Sequence, residues 1–244
     1  NKVNIVSALR VLFRFWKEEG LLERDFSQFF ESFRVRHPER VPSFFTKEEV
    51  LRIENSIARS NAVGKRNYAM TLLASRLGLR ASDIANLKFG EIDWDNNLLT
   101  ITMQKTRKVI QLPLLAEVGN SIVDYLKNGR PKSSLDQVFL SSRAPYTGAT
   151  KACVCAAINE IILKSGVDVH LKHHGPHSLR HSLASAMLSE ETTLPVISES
   201  LGHRHTDTTM VYLKIDIPSL MKCALPVPSV AEGFYMQRGG AFYE

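Results

Sequence analysis

The chain has 244 residues, of which 44% are hydrophobic, and a formal net charge of +6. This apolar content is enough for one core and part of a second. No apolar run approaches the ~20 residues that a membrane-spanning helix needs, and the N-terminus does not resemble a signal peptide. The sequence therefore predicts a cytoplasmic protein with no membrane partner. Because the first residue is Asn1 rather than methionine, we expect a fragment whose upstream part is absent.

The cysteines are few and odd in number. Cys153, Cys155 and Cys223 are typical of reduced thiols in an intracellular protein rather than of a disulfide framework. The spacing of the first two does not match a zinc knuckle. No metal is therefore expected at the cysteines.

The basic residues are concentrated in one part of the chain. Between residues 100 and 152, eight lysines and arginines stand against three acidic residues, a difference of +5. Clustered cations attract a polyanion, and nucleic acid is the usual one. On charge alone, a solvated basic face is an open alternative. The eight cations are Lys105, Arg107, Lys108, Lys127, Arg130, Lys132, Arg143 and Lys151.

The first forty residues have a helical pattern. Apolar residues recur at helical spacing from Val6 to Trp16, and Gly20 is placed to end that helix. A short amphipathic piece follows over residues 25–33, and the polar, proline-containing stretch 34–43 reads as a linker. Two helices alone make a poor domain, so we expect the remnant of a truncated helical domain here.

The rest of the chain is predicted to be mostly helical with one small sheet. Thr46 and Glu49 form a capping box that opens a helix to about Arg59, and Ser82 is predicted to cap a short helix. Asp95, Asn96 and Asn97 form a turn signal between β-prone runs. The predicted strands are 91–94, 98–103 and 108–112, and the other helices are 65–77, 116–127, 150–164, 176–189, 194–201 and 206–214.

Histidines gather near the C-terminal end, where seven of the eight lie between residues 170 and 205. His177 and His181 would share a helix face, but there is no HExxH pattern and no evident third ligand, so no metal is expected. His177 and Arg180 are three residues apart and also share a face. An imidazole beside a guanidinium suits an anionic ligand. Taken alone, a surface pair is the open alternative.

Several motifs together are more specific than this pair. Arg80 lies in GLRASD, between a helix end and the next helix start. Lys105 lies in ITMQKTRKVIQLPL, and His177 and Arg180 lie in PHSLRH. His203 lies in LGH, and Tyr212 follows nine residues later in TTMVYLK. In order and spacing, the stretch from Thr46 to Asp216 resembles the tyrosine recombinase (phage integrase) family, and a mobile-element integrase within it.

The resemblance implies a fold and a domain order. The expected fold class is mainly α with a small antiparallel three-stranded sheet. Residues 46–216 would be the catalytic domain, preceded by part of a helical, DNA-clamping core-binding domain over 1–38 and a linker over 39–45. Residues 217–244 would form a tail that can dock on a neighbouring protomer.

The resemblance also implies a role for each site residue. Arg80 and Arg180 would bind the oxygens of one DNA phosphate, and Tyr212, otherwise expected to be a core aromatic, would attack the phosphorus. His177 would accept the tyrosine proton or hold the phosphate. Lys105, on a mobile hairpin, would protonate the departing 5′ oxygen, with Arg107 and Lys108 as rivals. His203 would donate a hydrogen bond to the phosphate, with Gly202 shaping the turn before it, and Asp83 would orient Arg80 or its helix.

The implied partner is double-stranded DNA at specific recombination sites. Four protomers on two sites would exchange strands through a Holliday junction without a cofactor, a metal ion or ATP. The protein would act in the bacterial cytoplasm at the nucleoid. Further DNA-binding residues would be Arg107, Lys108, Arg143 and Lys151. A type IB topoisomerase and a catalytically silent DNA-binding protein are the alternatives.

Overall fold

The computed structural model describes residues 2–30, 44–170 and 172–202. The chain divides into two compact units, residues 1–41 and 42–244. The predicted helix over 206–214, the tail over 217–244, Cys223, His203 and Tyr212 lie outside the described residues, as does most of the predicted linker. Within the described ranges, no helix is long and apolar enough to cross a membrane.

The first unit is a helix with an aromatic cluster. Helix α1 (Lys2–Glu18) is followed by a 3-10 turn over Phe26–Phe30. The Phe13 ring packs edge-on against Trp16 with ring centroids 5.5 Å apart, and it stacks on Phe30 at 5.6 Å. The predicted first helix is confirmed. The second piece is a 3-10 turn in its described part, because the Asp25 carboxylate accepts a hydrogen bond from the Ser27 N–H at 2.8 Å and starts a tighter turn.

The second unit contains seven further α-helices, a 3-10 turn over Phe89–Glu91 and one three-stranded sheet among its described residues. The helices are α2 (Lys47–Asn55), α3 (Ala62–Ser75), α4 (Ala81–Ala85), α5 (Ala116–Asn128), α6 (Lys151–Lys164), α7 (Pro176–Ser189) and α8 (Leu194–Ser200); the strands are β1 (Ile92–Asp93), β2 (Leu98–Thr102) and β3 (Val109–Pro113). The predicted fold class, mainly α with a small antiparallel sheet, is confirmed.

Two predicted helix boundaries need correction. The Thr46 capping box is present, but α2 ends at Asn55 rather than Arg59. The Ser56 hydroxyl donates to the Ile53 carbonyl at 2.7 Å and competes with the next helical turn. Ser82 does not cap α4, because Arg80 occupies the cap position and Ser82 lies within the helix.

Helix α3 is the centre of the core. Its residues from Ala69 to Ser75 are all buried, and α5, α6 and α7 pack around it. The sheet has the order β1-β2-β3, with Leu99 opposite Leu112 and Ile101 opposite Ile110. These four side chains are buried while Thr100 and Gln111 between them are exposed, the alternation of a sheet with one face on the core.

Gly78 allows three elements to converge. It follows α3 with φ +63°, in the left-handed region that glycine enters without steric cost. A Cβ atom at this position would lie 2.6 Å from Cδ2 of Leu201, at the end of α8, and 3.1 Å from Cδ2 of Leu183 on α7. A side chain at this position would therefore force the buried Leu201 side chain to shift, in addition to the backbone strain of a positive φ.

We expect Gly78→Ala to destabilise the fold more than Gly166→Ala. Both glycines have positive φ, but a Cβ atom at Gly166 would meet nothing within 4 Å. Backbone strain alone should lower the unfolding free energy of Gly166→Ala by about 1–2 kcal/mol. Overpacking against Leu201 should cost Gly78→Ala a further ~1–3 kcal/mol. Urea denaturation followed by circular dichroism measures both, and equal losses would contradict the crowding at Gly78.

Candidate active site

Arg180 joins three segments of the second unit. It lies one turn into α7, which begins with Pro176 after Gly175 at φ +123°. Its guanidinium is buried, with 3% of the residue exposed. Nη1 donates to the carbonyl oxygen of Gly78 at 2.6 Å, and Nη2 donates to that of Leu201 at 2.5 Å. The arginine thus fixes the end of α3 and the end of α8 to α7.

A cleft of about 390 Å³ opens beside this arginine. Five basic side chains line it, from four separate parts of the chain. They are Arg80 from the start of α4, Lys105 from the β2–β3 connection, Lys151 from the first residue of α6, and His177 and Arg180 from α7. The structure therefore brings together four of the six residues predicted to be catalytic, and the other two, His203 and Tyr212, lie outside the described residues.

The connection between β2 and β3 presents Lys105 at its tip. The Met103 N–H donates to the Lys108 carbonyl at 2.9 Å, and the Arg107 N–H donates to the Met103 carbonyl at 2.8 Å. Arg107 closes the turn with φ +58°. All three basic residues of the turn are exposed, but Lys105 lines the cleft, whereas its rivals Arg107 and Lys108 are not among the described cleft-lining residues.

Both neighbours of Lys105 are anchored. The Gln104 N–H donates to Asp83 Oδ1 at 2.9 Å, and the Thr106 hydroxyl makes a long hydrogen bond of 3.4 Å to the Gly202 carbonyl. The hairpin predicted to be mobile is therefore held on both sides of its lysine. Asp83 contacts the hairpin, a partner that the sequence did not indicate.

The positive surroundings act on His177. Partial burial and the charges of Arg180, Arg80, Lys105 and Lys151 lower its pKa below the ordinary value of 6.5. Its ring nevertheless borders the open cleft. At neutral pH the imidazole is therefore uncharged, with one ring nitrogen able to accept a proton.

His181 lies one turn further along α7, behind His177. The two rings stack with centroids 6.3 Å apart and planes 27° apart. Burial, followed by the nearby His177 and Arg180, lowers the pKa of His181 to about 4. This half-buried neutral ring was not among the predicted site residues, and its only sequence signal was the four-residue spacing that suggested a metal.

Two further residues predicted to contact DNA, Lys151 and Arg143, lie in different parts of the structure. Lys151, expected to be a general DNA contact, is inside the cleft because α6 packs against α4 and its first residue follows the Thr150 cap. Arg143 is exposed in the loop before α6 and does not line the described cleft. Cys155 and Gln104 line the cleft without having been predicted. Among the residues of known placement, no three His, Cys, Asp or Glu side chains form a metal-binding group.

Gly202, expected to shape the turn before His203, adopts a left-handed conformation. Its φ is +60°, and a Cβ atom there would lie 3.2 Å from both Ile110 Cγ2 and Met103 Cε. The end of α8 therefore lies directly against the sheet. His203, the next residue, lies beyond the described part of the chain.

Comparison with known proteins identifies the family. The sequence profile of the phage integrase family matches residues 43–217, and the chain therefore belongs to this family of tyrosine recombinases. The protein y4rA of Sinorhizobium fredii, named as an integrase/recombinase, is 39% identical over 193 residues. This match covers 79% of the chain and 46% of y4rA, so the chain spans about half the length of that relative.

Two further matches extend over most of the chain. Tyrosine recombinase XerA of Thermococcus kodakarensis is 32% identical over 221 residues, covering 89% of the chain and 72% of that protein. The structure of XerH recombinase in a post-cleavage complex with palindromic difH substrate aligns with a TM-score of 0.64. At 22% identity, over 75% of this chain and 53% of XerH, that match shows the shared fold.

We expect stability to fall in acid because of His181. Its folded pKa of about 4 lies below the ordinary 6.5, so the stabilisation from keeping it neutral is complete above pH 6.5 and is lost as the pH falls toward 4. His181→Gln should flatten the pH dependence of the unfolding free energy in that window. Urea denaturation from pH 7.5 to 4.5 tests this, and NMR titration of the ring near 6.5 in the wild type would contradict it.

Proposed function

We propose that the chain cleaves and rejoins DNA strands at specific sites through a 3′-phosphotyrosyl intermediate. The observation that supports this proposal is the cleft in which Arg80, Lys105, His177 and the buried Arg180 meet. It gathers positive charge and one neutral imidazole around a volume suited to a phosphate group. Family membership and relatives named as recombinases support the same reaction.

The proposed cleavage step is a transesterification. The Tyr212 oxygen attacks the scissile phosphorus, a phosphorus–oxygen bond to tyrosine forms, and the bond to the 5′ oxygen breaks. The tyrosine proton passes to His177, whose lowered pKa leaves its ring neutral and able to accept it. Lys105 gives a proton to the departing 5′ oxygen. Reversal by another 5′-hydroxyl rejoins the strands, so the reaction needs no cofactor, no ATP and no metal ion.

The arginines supply the electrostatic part of catalysis. A free phenol has a pKa of ~10 and is a weak nucleophile near neutral pH. A phosphate held by Arg80 and Arg180 has its negative charge offset as the five-coordinate transition state forms. Arg180 is already fixed by two backbone carbonyls, so it loses little freedom when DNA binds. His203 is proposed to add a hydrogen bond to the same phosphate.

The proposed assembly is a tetramer on two DNA sites that exchanges strands through a Holliday junction. Residues 46–216 are the proposed catalytic domain, and residues 1–38 part of a DNA-clamping domain joined by the linker 39–45. The tail 217–244 is proposed to dock on a neighbouring protomer. We infer that this takes place in the bacterial cytoplasm on nucleoid DNA. The post-cleavage DNA complex of XerH, which shares the fold, supports a DNA partner.

Tyr212→Phe should abolish the covalent link to DNA. The substrate is a duplex from the ends of the host element, nicked near the crossover so that the cleaved strand is trapped, and the reaction contains EDTA. A denaturing gel should show a protein–DNA band for the wild type. The same band should appear for Tyr146→Phe, which changes an exposed tyrosine outside the cleft.

Each contrary outcome has a definite meaning. A band that persists in Tyr212→Phe would remove Tyr212 as the nucleophile. No band from wild-type protein on a demonstrably bound site would favour a DNA-binding protein without catalysis. Relaxation of plasmids that carry no specific site, without exchange between two sites, would favour a type IB topoisomerase over a recombinase.

Lys151 should contribute one phosphate contact to DNA binding. In Lys151→Ala, the slope of log K against log salt concentration should be smaller by about 1. Lys164→Ala is the matched control, because Lys164 lies at the other end of α6 and pairs with Glu160. Fluorescence anisotropy across a salt series measures the slope, and the same slope change in both variants would remove Lys151 from the interface.

A further inference from the structure

We propose that Asp83 is a positioning residue for Lys105: it holds the turn that carries this lysine by accepting a hydrogen bond from the Gln104 backbone. The proposal rests on the proposed function, in which Lys105 is the proton donor. It assigns to Asp83 a role in the departure of the 5′ oxygen, separate from the binding of phosphate by Arg80.

The contact links the start of α4 to the sheet. Asp83 is buried, with 2% of the residue exposed, and its Oδ1 accepts from the Gln104 N–H at 2.9 Å. The hydroxyl of Ser82 contributes only a longer bond of 3.4 Å to the same oxygen. The residues 83 and 104 are 21 positions apart. A buried carboxylate needs such a partner, so this bond compensates part of the cost of burying Asp83.

The bond acts on the residue next to the proton donor. Gln104 and Lys105 are consecutive, so fixing the Gln104 amide fixes the direction in which the Lys105 side chain leaves the backbone. On the other side of Lys105, Thr106 makes only the long bond to Gly202. The turn also includes Arg107 in a positive-φ conformation, which a non-glycine residue adopts at an energetic cost. Without Asp83, the turn keeps its internal backbone hydrogen bonds, but its attachment to the rest of the unit is reduced to the long Thr106 bond.

A general acid depends on this kind of placement. Its donor atom must come within ~3 Å of the oxygen that receives the proton. Lys105 has a long flexible side chain on an exposed turn, so the backbone must limit where its ammonium group can reach. Loss of the Gln104 bond would therefore weaken proton transfer more than it weakens phosphate binding.

The test uses two substrates that differ in one atom. In the first, the bridging 5′ atom is oxygen, and its departure requires a proton. In the second it is sulfur; the phosphorus–sulfur bond breaks and the thiolate leaves with its electron pair, without a proton, because thiols ionise near a pKa of ~8.5. A variant that is impaired only in proton donation cleaves the oxygen substrate slowly but cleaves the sulfur substrate at a near-normal rate.

We expect Lys105→Ala to lose ~10²–10⁴-fold in single-turnover cleavage of the oxygen substrate, the usual contribution of general acid catalysis. Asp83→Ala should lose ~10–100-fold, because a misplaced lysine still donates in a fraction of encounters. Both should cleave the sulfur substrate within about threefold of the wild type, since that step needs no proton. Asp83→Asn should stay within about fivefold on both substrates, because its amide oxygen can accept the same bond.

Asp93→Ala is the matched control. Asp93 accepts a hydrogen bond from the Asn96 N–H at 2.9 Å in the exposed turn between β1 and β2. Like Asp83, it anchors a backbone amide of a hairpin, but away from the cleft. Its cleavage rates should equal those of the wild type on both substrates. The sulfur-to-oxygen rate ratio is measured within each protein sample, so a reduced folded fraction in Asp83→Ala does not change it.

The outcomes separate the two proposals. If Asp83→Ala cleaves the oxygen and sulfur substrates equally slowly while Lys105→Ala regains its cleavage rate on the sulfur substrate, the role of Asp83 alone is overturned. Failure of Lys105→Ala to recover on sulfur would overturn the role of Lys105 as proton donor and the inference that depends on it. The proposal is supported if Asp83→Ala and Lys105→Ala both regain near-wild-type cleavage rates on the sulfur substrate. The cleavage rates of Asp93→Ala should be unchanged on both substrates.

Discussion

The cleft depends on the two hydrogen bonds that Arg180 donates to the carbonyl oxygens of Gly78 and Leu201. Helices end with carbonyl groups that have no partner within the helix, and these ends carry partial negative charge. Leu201 is the C-cap of α8, and Gly78 lies in the backbone just after α3, so one buried guanidinium satisfies a helix-end acceptor and a carbonyl of the following turn. Burial of this cation is tolerable because the carbonyls compensate it. The same pair of bonds holds the backbone after α3 and the end of α8 to α7, the helix that contributes Pro176, His177 and Arg180 to the cleft.

Positive charge around the cleft has a cost in the absence of DNA. The pKa of His177 is lowered by the four positive charges nearby, because each of them opposes protonation of the ring. They are Arg180, Arg80, Lys105 and Lys151. The neutral state of His177 and His181 limits how much charge accumulates there. A bound phosphate would offset the repulsion among the remaining cations, and a ligand that binds only the folded state stabilises it. Electrostatic features that make the free protein less stable are therefore the ones that favour an anionic ligand.

Sequence patterns predicted local features well and tertiary features poorly. The Thr46 capping box and the helix that begins at Pro176 follow from rules that involve neighbouring residues. The hydrogen-bond partners of Asp83 and Arg180 cannot be predicted from such local rules. Arg180 and Gly78, for example, are 102 positions apart, and only packing brings them together. Motif order indicated which residues share the cleft. It gave no sign that Lys151 joins them, since that depends on α6 packing against α4.

The site is built from elements of different rigidity, and the bonds between them compensate for this difference. His177 and Arg180 are on a helix packed against the core, where backbone hydrogen bonds fix their positions. Lys105 is on an exposed turn that is closed by two backbone hydrogen bonds but is not packed in the core. The bonds from Gln104 to Asp83 and from Thr106 to Gly202 attach this turn to α4 and to the end of α8. Because Arg180 holds the same end of α8 through Leu201, the turn and the arginine share one support. A change at that support should therefore disturb Lys105, the proposed proton donor, and Arg180, the proposed phosphate ligand, together.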